Sequence, residues 1–265
     1  MLFIITDILL PYLTDFSRQD KAMISYVLAK QAGINIEFRV FGDKVPDTDL
    51  IIVPSCHGAE FFNKQICDDI FEKVKNGATL YMSASAIHMC YLKENFGFIS
   101  RGMARMNKRH TAHFPFGDID YSCSKEVLIE SAGAEILAVN EENNPVMTKY
   151  KLGKGYVYFL NFDMELSLAQ GFDVFNKKPL YSDIYRLIDK VREKAEDYLI
   201  NTLDHRIGIT QSECDGGYIL SAVNYSDEDI DFNYKIKDGF DTTVLYGDLN
   251  KIPHCDAVIV KLTKK

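Results

Sequence analysis

Two stretches of the sequence place nucleophile-type residues where a strand gives way to a loop. The first is Gly77-Ala78-Thr79-Leu80-Tyr81-Met82-Ser83-Ala84-Ser85. It leaves a helix at Asn76-Gly77, runs through an apolar strand from Thr79 to Met82, and meets a helical pattern from Ala86. In open α/β sheets, ligands and nucleophiles sit at such strand ends. A hydrolase of that kind would carry its nucleophile on a glycine-flanked elbow such as G-x-S-x-G. Here the corner reads Ser83-Ala84-Ser85-Ala86, with neither flanking glycine nor cysteine. It is a catalytic type of corner with its catalytic residue missing, and Ser83 is kept as an alternative nucleophile. The second stretch is Cys56-His57, after the apolar run Asp49 to Pro54. A thiol activated by an imidazole is real chemistry. Neighbours on one loop seldom face each other, however, and triads are assembled from distant positions. An inert thiol is the default for Cys56.

Other candidates are weaker. His110 and His113 are spaced so that both could touch one metal, but no acidic or cysteine partner stands at a defined interval. Asp163 and Glu165 follow a strong strand and could bind a substrate hydroxyl or act as a glycosidase pair; a solvated end or helix cap is the simpler reading. His88 and Cys90 lie two apart on an expected helix and so do not share a face. Gly153-Lys154-Gly155 precedes a strand instead of a helix, the wrong context for a phosphate loop. The basic run Arg101, Arg105, Lys108 and Arg109 reads first as a solvated loop face. No metal, cofactor or assured catalytic residue is expected from these patterns.

The chain has 265 residues, a net charge of −8 and 47% hydrophobic residues, with a pI near 5.3. That length allows one large domain or two smaller ones. The acidic balance argues against a general nucleic-acid binder. Six cysteines lie without a C-x-x-C pair, which fits reduced thiols in a cytoplasmic protein better than a disulfide framework or zinc ribbon. The apolar start from Met1 to Leu13 has no basic n-region and is broken by Asp7, so it reads as strand and loop, not a signal peptide. No run approaches the about 18 apolar residues of a membrane span.

The elements that must position these residues follow from periodicity. Leu2 to Ile5 is a buried strand; Ser17-x-x-Asp20 opens a helix that Gly33 ends. Strands follow at Ile34 to Val40 and Asp49 to Pro54. A helix capped by Asn63 presents Ile66, Cys67, Ile70, Phe71 and Val74 on one face. Strand and helix alternate through residue 85, which implies a parallel sheet with helices on its faces. Residues 86–150 are less regular, with a short helix to Asn95 and strands near 127–129, 135–139 and 146–150. The strand Tyr156 to Leu160 precedes a long loop to Pro179, and one helix is expected over 182–200. After Thr202 only strand-like segments and turns remain, with Asp231 to Ile236 alternating as a half-wet strand. The expected domains are therefore 1–202, α/β and flavodoxin-like, and 203–265, a small antiparallel sandwich.

In order and spacing, the chain resembles the C-terminal half of family 42-type β-galactosidases and related clan-A glycoside hydrolases. The stretches that carry the likeness are Tyr26 to Ile34, Asp49 to Pro54, Val74 to Leu80, Gly153-Lys154-Gly155-Tyr156-Val157 and Leu220-Ser221-Ala222-Val223-Asn224-Tyr225-Ser226. The resemblance implies a trimerisation domain of the class I glutamine amidotransferase-like fold, then a small β domain. It also implies self-association as a homo-oligomer, a catalytic barrel encoded upstream, and a carbohydrate as the substance handled. In that family both catalytic glutamates lie on the barrel, so none carries over to residues 1–265. Residues 96–125 match nothing in it. The expectation is a non-catalytic scaffold portion of a glycoside hydrolase, with no nucleic-acid or membrane partner. A stand-alone amidotransferase-like hydrolase using Cys56 with His57, or Ser83, is one alternative; a carbohydrate-binding module is another.

Overall fold

The structure, a computed structural model, describes residues 2–6, 17–40, 45–56, 64–84, 91–105, 109–123, 125–169, 175, 180–202 and 204–265. His57, Ser85, His88, Cys90 and Lys108 lie outside them. The chain divides into two compact units, residues 1–25 with 36–171 and residues 26–35 with 172–265.

The first unit begins with β1 (Leu2–Thr6), α1 (Ser17–Gln31, shared with the second unit), β2 (Glu37–Val40), β3 (Leu50–Val53), α2 (Lys64–Lys75) and β4 (Thr79–Ser83). Every residue of β3 and β4 is buried, as the apolar runs Leu50 to Val53 and Leu80 to Met82 require of strands covered on both faces. Helix α2 buries Ile66, Ile70, Phe71 and Val74, one face at helical spacing. Then follow α3 (Leu92–Phe96), β5 (Phe98–Arg105), β6 (His110–Phe114), β7 (Gly117–Tyr121), β8 (Lys125–Ser131), β9 (Glu135–Asn140), β10 (Pro145–Leu152), β11 (Gly155–Leu160) and α4 (Met164–Ala169).

Nine of these strands form a curled sheet in the order β2-β1-β3-β4-β11-β10-β9-β6-β7, and β5 pairs antiparallel with β8 in a separate two-stranded sheet. The pairings of the larger sheet are parallel from β2 to β11 and antiparallel from β11 through β10, β9 and β6 to β7. Of the described residues, 46% are strand and 23% helix. The flavodoxin-like, class I glutamine amidotransferase-like parallel sheet expected from the sequence is therefore incorrect. The reason lies after β4. The strand-helix alternation of the first 85 residues does not continue; tight turns join β6 to β7 and β10 to β11, and such connections make antiparallel neighbours.

One of those turns shows why glycine is needed. A Cβ on Gly155 would lie 1.9 Å from the Ala78 carbonyl oxygen, and the Lys154 amide donates to the Lys75 carbonyl at 2.9 Å. The Gly153-Lys154-Gly155 turn is thus pressed against the α2–β4 connection. The core beneath contains Phe71, Phe96, Phe98 and Phe159, with ring centroids 5.3–5.7 Å apart.

The second unit has α5 (Ser182–Arg186), α6 (Asp189–Glu196) and strands β12 (Ile200–Thr202), β13 (Ile207–Cys214), β14 (Gly217–Asn224), β15 (Ile230–Asp231), β16 (Tyr234–Ile236), β17 (Phe240–Tyr246), β18 (Lys251–Ile252) and β19 (Ala257–Lys264). The single helix expected over 182–200 is two helices, because Ile188 takes an extended conformation (φ −78°, ψ 115°) between them. The strands pair as an antiparallel sheet β13-β14-β19-β17 and as the two-stranded pairs β12-β16 and β15-β18. Asn224 clasps this unit: its amide nitrogen donates to the carbonyls of Glu228, Ile252 and Pro253 at 2.8–3.1 Å, and its oxygen accepts from the Ser226 amide at 2.9 Å. That is the physical content of the Asn224-Tyr225-Ser226 stretch. Among the described residues no helix is long and apolar enough to cross a membrane.

Candidate functional site

The carboxyl ends of β3 and β4 and the start of α4 meet in a buried polar cluster within the first unit. At its centre is Glu165, fully buried in α4. Its carboxylate accepts hydrogen bonds from Ser83 Oγ at 2.5 Å, Ser55 Oγ at 3.0 Å and Tyr81 OH at 3.1 Å. Ser55 Oγ in turn accepts from the Leu166 amide at 3.0 Å, and Ser83 Oγ from the Ser55 amide at 2.6 Å. Lys21 Nζ, also buried, donates to the Ser55 carbonyl at 3.3 Å. Satisfying a buried carboxylate in this way offsets the large cost of removing it from water.

Ser55 is held at φ 45°, a left-handed conformation that non-glycine residues seldom adopt. The hydrogen bonds to its side chain, amide and carbonyl keep it there. Strain of this sort often accompanies functional sites. Here the serine hydroxyls are closed to solvent, Ser55 and Ser83 both being 0% exposed, and each hydroxyl both donates to Glu165 and accepts from a backbone amide. The arrangement can hold a negative charge and fix two strand ends; an incoming substrate would have to open it first.

The residues singled out from sequence fall as follows. Ser83 joins Glu165 in the cluster. Cys56 is 7% exposed, and its amide donates to the Ser83 carbonyl at 2.7 Å, so the two corners are tied together through the backbone. Asp163 and Glu165 separate in role: Asp163 is 6% exposed near Cys123, while Glu165 turns into the cluster. The sequence alone does not single out Ser55 or Tyr81. A serine in a left-handed conformation carries no glycine or asparagine to mark it, so only the three-dimensional geometry reveals Ser55.

A second buried carboxylate, Glu126, lies under the β6–β7 hairpin. Tyr121 OH donates to it at 2.9 Å, and the Asn140 amide reaches both its oxygens at 3.1 and 3.2 Å. Burial raises its pKa above the ordinary 4.5, against the hydrogen bonds and the charge at His110. Burial, with the charges of Glu126 and Asp163 behind it, also pushes the Cys123 thiol up to about 12, which leaves it unreactive at neutral pH. Cys67 is raised to about 11, again by burial first.

The two histidines considered for a metal are parted by the strand that carries them. His110 is buried, its Nδ1 2.8 Å from Glu141 Oε1 but outside hydrogen-bond geometry. His113 is exposed and bonded to Asp118 at 2.9 Å. Three residues apart on a strand, they point to opposite faces. The basic run is likewise divided, Arg101 pairing with Glu130 and Arg109 with Asp120. Among the described residues no group of three His, Cys, Asp or Glu side chains is placed to hold a metal.

No protein-family profile matches the sequence, and no curated protein matches it. Solved structures do. A GH42 β-galactosidase from G. stearothermophilus matches with a TM-score of 0.66 at 14% identity, over 100% of this chain and 40% of its own. A β-galactosidase from Bacillus circulans sp. alkalophilus gives 0.61 at 14% identity, over 98% of this chain and 41% of its own. The α-L-fucosidase isoenzyme 2 from Paenibacillus thiaminolyticus gives 0.62 at 11% identity, over 100% of this chain and 48% of its own. The chain therefore has the fold of a part of GH42 β-galactosidases and spans less than half the length of these enzymes. At such identities the likeness speaks for the fold alone.

Proposed function

We propose that this chain is a non-catalytic body of a glycoside hydrolase, working in carbohydrate metabolism in the cytoplasm by holding domains or protomers of the enzyme together. One observation carries the reading: the fold likeness covers 98–100% of this chain yet only 40–48% of the matched enzymes. Two of those enzymes are named for galactose and one for fucose. A body common to both is poorly suited to be the place where the sugar is chosen. The closed cluster around Glu165 fits a supporting role, because its hydroxyls are engaged in tying strand ends. Fold alone does not license an activity, so the reading must be tested directly. The purified chain is expected to release no chromophore from nitrophenyl β-galactoside or α-L-fucoside, and to give no binding heat with the free sugars. Turnover that disappears in Ser83→Ala or Cys56→Ala would overturn the proposal in favour of a hydrolase. Binding heat without turnover would replace it with a carbohydrate-binding module.

A further inference from the structure

The sheet β13-β14-β19-β17 ends on β17, seven residues long, Phe240 to Tyr246. All of them except Phe240 are exposed. Val244 stands opposite Val260, which stands beside Leu220. Those two are 2% exposed, whereas Val244, on the same face, is 43% exposed. It has the orientation of a core residue and lacks only a neighbour on its outer side. Leu245 and Tyr246 are 53% and 52% exposed. An edge with unpaired backbone groups and apolar side chains is a template for another strand.

We infer that the strand which covers it is β17 of a second copy of this chain, paired antiparallel about a two-fold axis at Thr243. In that register Thr243 meets its own copy and Thr242 meets Val244 of the other, both on the core-facing side. A bulge between Val244 and Tyr246 leaves Leu245 without a partner on β19, so the regular pairing is centred on Thr242 to Val244 and Asp241 lies beyond it. The strand's one charged residue thus never opposes itself, and each Val244 gains the covering it lacks. The edge strand β7 makes the contrast. The same operation about Ile119 would set Asp118 against Asp120, and opposed like charges destabilise a strand pair. At β17 the acidic Asp241 already has Lys265 within 3.7 Å. One strand pair interrupted by a bulge covers less than the about 1,000 Å² of a stable interface, so the dimer is expected to be weak and concentration-dependent. It does not rest on the glycosidase reading, and a chain that hydrolysed sugars would leave it untouched.

Sedimentation velocity on the full chain over a wide concentration range is the first test. A reversible monomer–dimer equilibrium is expected, weakened about tenfold or more by Val244→Lys and unchanged by Ile219→Lys, which alters an exposed residue of the same sheet away from its edge. Circular dichroism checks that both variants fold. The register is tested by mild oxidation of Thr243→Cys and Asp241→Cys, read against the unsubstituted chain to subtract its native thiols. Only the first places two thiols face to face within disulfide reach, so a disulfide-linked dimer is expected from Thr243→Cys alone. A monomer at every concentration overturns the inference. So does association that survives Val244→Lys, or equal cross-linking of the two cysteine variants.

Discussion

Two buried carboxylates of the first unit, Glu165 and Glu126, are solved differently. Glu165 accepts three hydroxyl groups drawn from positions 82 to 110 residues away in sequence. Glu126 is held by Tyr121 and Asn140, 5 and 14 residues away. The first is a long-range tie that joins β3, β4 and α4. The second is a local tie that joins the end of β7, the start of β8 and the end of β9. Its distant partners are few, and burial leaves it with a raised pKa. The hydroxyls around Glu165 tie distant segments together, whereas Glu126 costs stability as an anion and a proton relieves it.

The comparison can be broken most forcefully at Glu165. Glu165→Ala leaves three buried hydroxyls without their acceptor and should cost roughly 3–5 kcal/mol in urea unfolding. Glu165→Gln keeps an acceptor oxygen and should cost roughly 1–2 kcal/mol. If the alanine variant is as stable as the parent, Glu165 does not organise the strand ends.

Asn161→Ala comes next. The Asn161 side chain accepts from the Val127 amide and donates to the Val127 and Pro145 carbonyls at 2.8–3.2 Å. Losing it should cost about 1–3 kcal/mol by thermal or urea unfolding. Glu126→Gln should have a smaller effect at neutral pH and a clear one on pH dependence. Because the folded pKa is raised, the folded state binds a proton that the unfolded state has released. Stability should therefore fall as pH rises from about 4.5 through the higher folded value, and be fully present below that window. The glutamine variant should flatten that slope; an unchanged slope would mean another group titrates there.

The smallest effect concerns the exposed Asp229. Its carboxyl is pulled down to about 2, chiefly by Lys251 and then by His254. Whatever stability this gives is present above the ordinary 3.8 and lost as pH falls toward 2. Lys251→Ala should move the Asp229 titration, followed by NMR, upward. High salt should shrink the difference.

What the sequence revealed depended on how densely local signals were written. The apolar run Leu50 to Val53 and the stripe Ile66, Ile70, Phe71 and Val74 specify β3 and α2 by themselves, and both are buried as the pattern requires. The helix break at Ile188 was invisible, because Ile184, Ile188 and Val191 keep helical spacing across it and all three are buried. Met23 fits the stripe of α1 but is 59% exposed, since period alone does not say where a helix's cover ends. The β6–β7 hairpin leaves little signal in the sequence because its strands are five residues each and half polar. Of the central cluster, Ser83 and Glu165 drew attention through their strand-end positions. Their meeting did not, because nothing in the sequence pairs residues 82 positions apart.

Strand β8 leans on two asparagine side chains. Two of its amides, Val127 and Ile129, donate to the side-chain oxygens of Asn161 and Asn144 at 3.2 and 3.0 Å. Amide hydrogens bonded in this way exchange with solvent only when the side chain swings aside or the region opens. Deuterium uptake at Val127 and Ile129 is therefore expected to report on two asparagine rotamers.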